Sequence, residues 1–430
     1  GNVDEEGNRL VSRGDNDLDD VFLKNTDTNG RFHSDWCSMI YSRLMIARSL
    51  LTEDGLIFIS IDDNEVENLR KICDEVFGET NKISQLVIEN NPRGRQSDTF
   101  FATSHEYLLC YGKDLSKAFI KGMPLNDKQK AEYKYVDEVG RYRLLGLRQR
   151  GVASLREDRP EMFFPIWVNP QSQEISLEER TNWEKVVPKK SDGREGRWMW
   201  GKTKCINEKN RLVPHLVTTR NEYDIFVKDY LEKGDEARTR KYKTIWSDKK
   251  INNQIGTQEV KQLLQGDYMS FPKSSEYIKD IIQIGSNQDS LILDFFSGSA
   301  TTAHAVMQHN AEDGGNRRFI MVQLPEETSE DSEAYKAGYK NICEIGKERI
   351  RRAGKKIKEE LLAKQGNGQS AKEQSSNGNE QGGLFDNTES TNSSENTNNS
   401  NVGNVASSTL DIGFRVFRID SGNMKENLEQ

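Results

Sequence analysis

Residues 291–306 have the pattern of a turn that holds a cofactor. They read LILDFFSGSATTAHAV, an apolar strand followed by a turn of small residues and a helix that begins near Thr301. Small residues let the backbone approach a ligand, and the N-terminus of a helix favours an anionic group. A second strand, RFIMVQ (318–323), follows after one helix length, as a βαβ unit requires. The pattern predicts a cofactor site at this turn.

The same turn limits which cofactor is expected. Ala300 stands where the full dinucleotide-binding fingerprint has a further glycine, and the turn has no lysine of the kind that a phosphate-binding loop uses. Nucleoside triphosphate hydrolysis is therefore disfavoured. S-adenosylmethionine fits the turn as well as NAD does, and a plain structural connection remains an alternative.

Bulk composition narrows the class of protein. The chain has 430 residues, enough for two or three domains, and its 61 basic and 69 acidic residues give a net charge of −8. No global field attracts nucleic acid, so DNA binding would need a local basic patch. The five cysteines are scattered without a CxxC pair, which argues for a reducing compartment and against a metal site. Without a signal peptide or a long apolar run, we expect a cytoplasmic protein.

The elements that must position the turn follow an α/β pattern. The first predicted elements are a helix over 34–51, a strand over 56–62 apolar enough to be buried on both faces, a helix over 64–76, and strands over 83–88 and 107–111. This alternation predicts an α/β fold with a doubly wound sheet. The strand, turn and helix of 291–306 belong to its second half.

The middle and the end of the chain differ in composition from the α/β segments. Over 115–268 the helical periodicity breaks and arginine and tryptophan become frequent, which predicts a domain inserted between the two halves of the sheet. The α/β pattern then resumes and runs into a charged helix over about 331–363. Residues 364–409 are mostly Asn, Ser, Gly and Gln, so we predict a disordered linker. A strand pattern at 412–420 predicts that 410–430 begin a further, truncated region.

In their order along the chain, these segments resemble the modification (Mod) subunit of type III restriction–modification systems, a β-group DNA adenine-N6 methyltransferase. The resembling segments are SDWCSMIYSRLMIARSLLTEDGLIFISIDDNE (34–65), FFATSHEYLLCYGK (100–113), REDRPEMFFPIWVNP (156–170), EGRWMWGK (195–202), FPKSSEYIKDII (271–282), LDFFSGSATTAHAV (293–306), RRFIMVQLPE (317–326) and GFRVFRIDSGN (413–423). The resemblance implies a Rossmann-like methyltransferase core with its catalytic half in 1–114, a target-recognition domain in 115–268 and its cofactor-binding half in 269–363.

The resemblance also implies S-adenosylmethionine as the cofactor and assigns residues to it. The predicted cofactor-binding residues are Lys273, Asp294, Phe295, Phe296, Gly298, Ser299, Thr301 and Gln323. Gln323 stands where the family usually presents an acidic side chain to the ribose hydroxyls, and Glu326 is a nearby substitute. Two residues depart from the family pattern, Ser274 in place of a proline after the lysine and Ala300 in place of a glycine.

The resemblance implies methyl transfer to N6 of adenine, with the base flipped out of the duplex and its amine held by an Asp-Pro-Pro-Tyr turn. No Asp-Pro-Pro-Tyr, Asn-Pro-Pro-Tyr or Ser-Pro-Pro-Trp occurs in these residues. In the family this motif would lie immediately before Gly1-Asn2. We therefore expect that the sequence is an N-terminally truncated fragment, that its catalytic residues are not present, and that it does not methylate DNA alone.

Clustered cations predict where DNA would bind. The stretch RYRLLGLRQRGVASLREDR (141–159) is rich in arginine, and a second patch surrounds Trp198 and Trp200. The predicted DNA-binding residues are Arg141, Arg143, Arg148, Arg150, Arg156, Arg159, Arg197 and Lys202. The alternative is that these residues form a solvated face.

The resemblance further implies partners. It predicts a homodimer that acts on double-stranded DNA and associates with an ATP-dependent restriction (Res) helicase–nuclease subunit, because the chain itself contains no helicase or nuclease motif. A rival hypothesis is a non-catalytic DNA-recognition module, a decayed or split Mod subunit. An NAD-dependent dehydrogenase is disfavoured, since the turn lacks the glycine and the ribose-binding acid that this class requires.

Overall fold

The computed structural model of the chain describes residues 31–234, 236–376 and 410–417. The helices are α1 (Phe32–Leu50), α2 (Val66–Cys73), α3 (Asp127–Lys130), α4 (Lys202–Asn207), α5 (Asn253–Leu264), α6 (Ser275–Gly285), α7 (Thr301–Asp313), α8 (Glu333–Lys336) and α9 (Ile342–Ser376). The strands are β1 (Leu56–Ile61), β2 (Lys82–Ile88), β3 (Glu106–Gly112), β4 (Met123–Pro124), β5 (Tyr135–Val136), β6 (Arg141–Gly146), β7 (Ile166–Val168), β8 (Ile175–Ser176), β9 (Glu184–Val186), β10 (Leu212–Val217), β11 (Glu222–Tyr230), β12 (Glu232–Lys233), β13 (Glu236–Ala237), β14 (Thr239–Arg240), β15 (Ile245–Trp246), β16 (Leu291–Asp294) and β17 (Arg318–Met321). In this described part of the chain, none of the helices has the length and apolarity needed to span a lipid bilayer.

Contacts divide these elements into two units, and the first contains a four-stranded sheet. This unit comprises the described residues up to Lys121 and from Lys243 onward. Its sheet has the order β1-β3-β2-β15, in which β1 and β2 run antiparallel to β3, and β15 runs parallel to β2. The predicted α/β content and the strands at 56–62, 83–88 and 107–111 are confirmed. The antiparallel pairing was not expected, and it arises because β2 and β3 are joined by a loop without a crossover helix.

Two helices cover one face of this sheet, as their apolar spacing predicts. Ile40 and Leu44 of α1 pack with Leu69 of α2 and with Leu109 and Tyr111 of β3 in one buried cluster. The helices predicted over 34–51 and 64–76 are therefore confirmed. The second one ends early, because its last turn widens into a π-helical segment.

The predicted βαβ unit is present in the same unit of the structure. Strands β16 and β17 are parallel, with Asp294 opposite Met321, and α7 connects them. Ala303 and Met307 of α7 pack against Ile350 and Ala353 of α9. The long charged helix α9 therefore supports the turn between β16 and α7 by packing against α7.

The second unit is formed by Gly122–Tyr242. It contains a four-stranded sheet in the order β10-β11-β6-β5 and a three-stranded sheet in the order β8-β7-β9 around a core that includes the fully buried Trp198. This unit is shorter than the predicted insertion over 115–268. The predicted boundary is wrong at the C-terminal side because β15 pairs with β2 and α5 packs on α9, which places both in the first unit.

The C-terminal predictions are met only in part. Helix α9 continues to Ser376, so the linker predicted from 364 begins at least a dozen residues too early. Residues 410–417 are not a strand, and Leu410 instead packs with Ile412 and Phe414 against the cluster of α7 and α9. The remainder of the predicted linker and of the region 410–430 lies outside the described residues.

Candidate cofactor site

Asp294 ties the end of β16 to the start of α7. Its Oδ1 accepts a hydrogen bond from the backbone N–H of Phe296 at 3.2 Å, and its Oδ2 accepts one from Oγ1 of Thr302 at 2.6 Å. Both bonds fix the turn before any ligand is bound. Of the two aromatic residues that follow, Phe295 packs against the core under the sheet, whereas the side chain of Phe296 is 53% exposed. Phe296 is therefore the one that can contact a ligand.

The turn itself uses two left-handed residues. Gly298 has φ +49° and Ala300 has φ +58°. The second value explains why a glycine is expected at position 300, since an L-residue with a Cβ is strained there. Ala300 is nevertheless 1% exposed and packs in the cluster of α7 and α9, so its methyl group is buried where a glycine would leave a gap.

Gln323, predicted to bind the ribose hydroxyls, lies beside the turn and holds it. Its Oε1 accepts a hydrogen bond from the backbone N–H of Gly298 at 2.7 Å, and its Nε2 donates to the carbonyl of Leu324 at 3.2 Å. The side chain of Gln323, just after β17, therefore links the end of β17 to the turn that follows β16. We expect this amide group both to hold the turn in its shape and to contact a bound ligand.

Replacing Gln323 with leucine is expected to weaken binding of the predicted cofactor, S-adenosylmethionine, about tenfold, since a hydrogen bond contributes about 0.5–1.5 kcal/mol and 1.4 kcal/mol is a factor of ten. Gln323→Glu keeps an acceptor for Gly298 and should bind at least as tightly as the wild-type chain. Titration calorimetry measures the affinities of both variants. Gln262→Leu, at an exposed position of α5, is the control. Equal affinities for the wild-type and Gln323→Leu chains would contradict the assignment.

Lys273 lies next to the turn, as the resemblance implies, and has a partner that the sequence did not indicate. Its ammonium group contacts the carboxylate of Glu106 at the start of β3, and its backbone carbonyl accepts from Oγ1 of Thr301 at 3.3 Å. Ser274, which replaces the expected proline, caps α6: its Oγ accepts from the N–H of Tyr277 at 3.2 Å. The departure from the family pattern is therefore compensated by a helix cap.

A cleft of about 380 Å³ lies on the Met269 side of the turn, and none of the predicted cofactor-binding residues is among those that line it. Tyr268, Met269, Phe271 and Ser332 are among its lining residues. A Cβ placed on Gly298 would lie 3.5 Å from the methyl group of Met269, so the backbone of the turn faces this side. The volume of the cleft is within the range of small-molecule sites.

Behind the turn lies a buried arginine that sequence reasoning missed. Arg349 of α9 has a side-chain exposure of 0%, and its Nη1 donates to Oγ of Ser299 and to Oγ1 of Thr301, both at 2.8 Å. Its Nη2 forms an ion pair with Glu259 of α5 at 3.3 Å. Ser299 and Thr301, both predicted to bind the cofactor, are thus held by hydrogen bonds from α9.

The electrostatics around Arg349 are those of a buried ion pair. Burial lowers the pKa of Arg349 to about 10, while Glu259 opposes that shift. Burial also raises the pKa of Glu259, whose carboxylate accepts from the N–H and Oγ of Ser275, each at 2.9 Å. Burial and the neighbouring guanidinium lower the pKa of His304 to about 3, so this histidine is neutral at physiological pH.

One sequence signal could have revealed Arg349. In the charged helix, Ile345, Arg349 and Ala353 recur at spacing i, i+4, i+8, and all three are 0% exposed. An arginine in register with the apolar face of a helix indicates a buried ion pair. The partner Glu259 could not have been found, because it is 90 residues away in sequence.

The predicted DNA-binding cations divide into structural and exposed ones. Arg143 forms ion pairs with Glu132 and Asp229, and Arg197 is 8% exposed and donates to backbone carbonyls of its own unit. The prediction that these two contact DNA is therefore not supported. Arg148 is partly buried and donates to the carbonyl of Lys189, and Arg156 pairs with Glu195 while remaining half exposed. The exposed members of the predicted set are Arg141, Arg150, Arg156, Arg159 and Lys202.

Comparison with known proteins gives a consistent result. A family model described as DNA methylase matches residues 16–355. The type II methyltransferase M.KpnI of Klebsiella pneumoniae is 36% identical over 314 residues, which are 73% of this chain and 72% of that protein. The Mod subunit of the type III restriction-modification enzyme EcoPI of Escherichia phage P1 is 35% identical over 78% of this chain and 52% of the subunit. For the EcoP15I Mod subunit of Escherichia coli the identity is 29%, over 80% of this chain and 55% of the subunit. The chain thus spans about half the length of these type III relatives.

Proposed function

This chain belongs to the DNA methylase family, and from that premise we propose that it transfers a methyl group from S-adenosylmethionine to N6 of adenine in duplex DNA. Support comes from the match over residues 16–355 and from the similarity to type II and type III modification enzymes. The turn after β16 supports the choice of cofactor, because it has no lysine of the kind that a loop binding a nucleoside triphosphate uses.

The observation that carries the proposal is the set of contacts that shapes this turn. Asp294 fixes its start, the amide of Gln323 fixes Gly298, and Lys273 is held beside it by Thr301. Three segments of the chain, the turn itself and the segments that carry Gln323 and Lys273, therefore meet at the carboxyl end of β16. Ligands of open α/β sheets bind at this end of the strands.

These residues fit S-adenosylmethionine in chemical type. The exposed ring of Phe296 offers an apolar face, the carboxylate of Asp294 and the amide of Gln323 offer polar groups, and the cleft beside Met269 has the size of a small-molecule site. When bound, the cofactor supplies an electrophilic methyl group. The role of this chain's residues is to fix the cofactor so that an incoming amine is aligned with that methyl group, and positioning of this kind accounts for much of the rate of such reactions.

We place the DNA contacts of the second unit on its exposed cations. Arg141, Arg150, Arg159 and Lys202 are exposed and can reach phosphate oxygens, and Arg156 can do so beside its ion pair with Glu195. Phosphate contacts position a protein on the duplex, and reading of sequence requires further contacts to base edges. The role of this unit as a target-recognition domain is part of the same proposal.

For the assembly we propose a type III Mod subunit that forms a homodimer in the cytoplasm and associates with a Res helicase–nuclease subunit. The similarity to the EcoPI and EcoP15I Mod subunits supports this choice. A second candidate is a type II methyltransferase that acts without such a partner. The similarity to M.KpnI, which is 36% identical over 73% of this chain, supports this alternative.

The test of the proposed reaction is transfer of label from isotopically labelled S-adenosylmethionine to mixed-sequence duplex DNA, with the nucleosides separated after digestion. We expect label in N6-methyladenine when the chain carries an Asp-Pro-Pro-Tyr segment at its N-terminus, because that motif holds the target amine in the family. The 430-residue chain is assayed in parallel, and we expect it to bind the cofactor but to leave the DNA unlabelled.

Three other outcomes would change this conclusion. Label with the 430-residue chain alone would mean that other residues of this chain do the work of the Asp-Pro-Pro-Tyr turn. Duplex binding without label in either chain would favour the non-catalytic recognition module. Failure of both chains to bind S-adenosylmethionine would contradict the cofactor assignment itself.

A further inference from the structure

The loop between β2 and β3 is an ordered hairpin that the cofactor site does not use. We call residues 91–104 the aromatic hairpin. Its two arms are joined by backbone hydrogen bonds from Asn91 to the carbonyl of Ser104 at 3.0 Å and from Arg95 to the carbonyl of Thr103 at 2.9 Å. At Gly94, φ is +68° and an added Cβ would lie 2.6 Å from the Cβ of Ala102, so the arms are in close contact. The hairpin therefore holds its shape through its own bonds.

The far end of the aromatic hairpin presents two phenyl rings to solvent. Phe100 and Phe101 are each 90% exposed. Single exposed apolar residues are normal, but two adjacent aromatic rings on a self-bonded loop indicate an interaction surface. The same hairpin carries the exposed cations Arg93 and Arg95, the latter 4.0 Å from the carboxylate of Asp98. Rings and guanidinium groups thus occur together on one protruding element.

The hairpin leaves the sheet at the edge where the cofactor-side residues lie. In the antiparallel register, Ile88 at the end of β2 is opposite Glu106, and Ile61 at the end of β1 is opposite Tyr107. The carboxyl ends of β1 and β2 therefore meet the start of β3. Glu106 at this edge contacts Lys273, whose carbonyl accepts a hydrogen bond from the first residue of α7. The base of the hairpin is thus linked to the cofactor turn by two successive contacts.

We propose that the aromatic hairpin contacts the bases of the DNA substrate where the target nucleotide leaves the helix, with Phe100 and Phe101 stacking on unstacked bases and Arg93 and Arg95 on the adjacent phosphates. This inference rests on the proposed function. An enzyme that modifies a base must extrude it, which leaves an opening in the stack. Aromatic side chains stack on exposed bases regardless of sequence, and apolar side chains can insert between base steps.

The chemistry of the hairpin favours nucleic acid over an apolar protein surface. A protein–protein contact through two phenyl rings would be weakened by cations that must be desolvated at the same surface. A polyanion satisfies both groups at once, because each ring finds a base face and each guanidinium a phosphate oxygen. The net charge of −8 for the whole chain makes such local cations necessary for DNA binding.

The test compares two DNA probes, a fully paired mixed-sequence duplex and the same duplex with a central three-nucleotide bubble whose bases are already unstacked. Affinities are measured by fluorescence anisotropy. We expect the wild-type chain to prefer the bubble. Phe100→Ala/Phe101→Ala should reduce that preference about tenfold or more, because it removes both rings that stack on the unstacked bases. Phe100→Trp/Phe101→Trp should keep the preference.

Three controls separate this role from general damage. Phe417→Ala removes a ring that is 82% exposed elsewhere in the same unit and should change neither affinity. Arg93→Gln/Arg95→Gln should lower the affinity for both probes to the same extent and reduce the salt dependence of binding. Binding of S-adenosylmethionine should be unchanged in every hairpin variant, which shows that the core remains folded.

The outcomes that overturn the proposal are distinct. An unchanged bubble preference in Phe100→Ala/Phe101→Ala, in a chain that still binds duplex, overturns the stacking role and leaves the proposed function intact. Loss of self-association in sedimentation, with unchanged DNA affinity, assigns the rings to a second copy of the chain and also overturns it. A wild-type chain that binds neither probe contradicts the stacking role and the proposed function together.

Discussion

Replacing Arg349 with methionine is expected to lower the free energy of unfolding by about 3–5 kcal/mol, the cost of breaking a buried ion pair by removing one partner. The change leaves the carboxylate of Glu259 without its cation, and it leaves Ser299 and Thr301 without their shared donor. Because both hydroxyl groups belong to the cofactor turn, we also expect at least a tenfold loss of affinity for S-adenosylmethionine. Urea denaturation and titration calorimetry measure the two effects.

The size of the stability loss depends on the charge left behind, and this can be tested directly. Glu259→Gln combined with Arg349→Met removes both charges while the amide oxygen can still accept from the N–H of Ser275, so it should recover part of the stability. It should not recover cofactor affinity, since the donor to the turn is still absent. Arg351→Met, on the exposed side of the same helix, is the control and should change little. Wild-type affinity in Arg349→Met would show that the turn does not need this support.

The local parts of the site could be predicted from the sequence. The alternation from apolar strand to small-residue turn to helix is specified within 291–306, and the parallel return strand follows after one helix length. The structure places these elements as predicted because each is determined by its own hydrophobic periodicity. The resemblance located Lys273 for the same reason, since it is read from a short segment.

The contacts that complete the site are not local and could not be predicted. Lys273 and Glu106 are 167 residues apart, and the residues between them include the whole second unit. Their meeting depends on the antiparallel pairing of β2 with β3, which brings the start of β3 to the edge where β2 ends. A strand pattern gives the period of a strand and not its partner or direction.

The cations of the second unit show a related limit. A count of arginines in 141–159 does not distinguish a guanidinium that faces solvent from one that pairs within the fold. Arg143 and Asp229 lie opposite one another in the register of β6 and β11, so their pairing follows from the sheet and not from the sequence around either residue. Arg150 and Arg159 remain candidates for phosphate contact because they are exposed.

Replacing Gly256 with alanine is expected to destabilise the protein and to weaken cofactor binding tenfold or more. A Cβ at this position of α5 would lie 2.1 Å from the carbonyl oxygen of Pro272 and 2.7 Å from the carbonyl carbon of Lys273. These are backbone atoms, so the clash cannot be relieved by a rotamer change. The segment that carries Lys273 must move away from α5, and its contacts with Glu106 and Thr301 must change with it.

The direction of the stability change distinguishes steric overpacking at Gly256 from the ordinary gain of Gly→Ala in a helix. In a helix, Gly→Ala alone stabilises by about 1 kcal/mol, whereas overpacking against a fixed neighbour costs about 1–3 kcal/mol. Gly346→Ala in α9 is the matched control, because there the nearest atom to an added Cβ, the carbonyl oxygen of Gly298, lies at 3.4 Å. We expect Gly346→Ala to be neutral or stabilising and Gly256→Ala to lower the urea midpoint and the affinity for S-adenosylmethionine. If both variants gain stability and keep the cofactor, α5 does not set the position of Lys273, and the lysine is held by its contacts with Glu106 and Thr301.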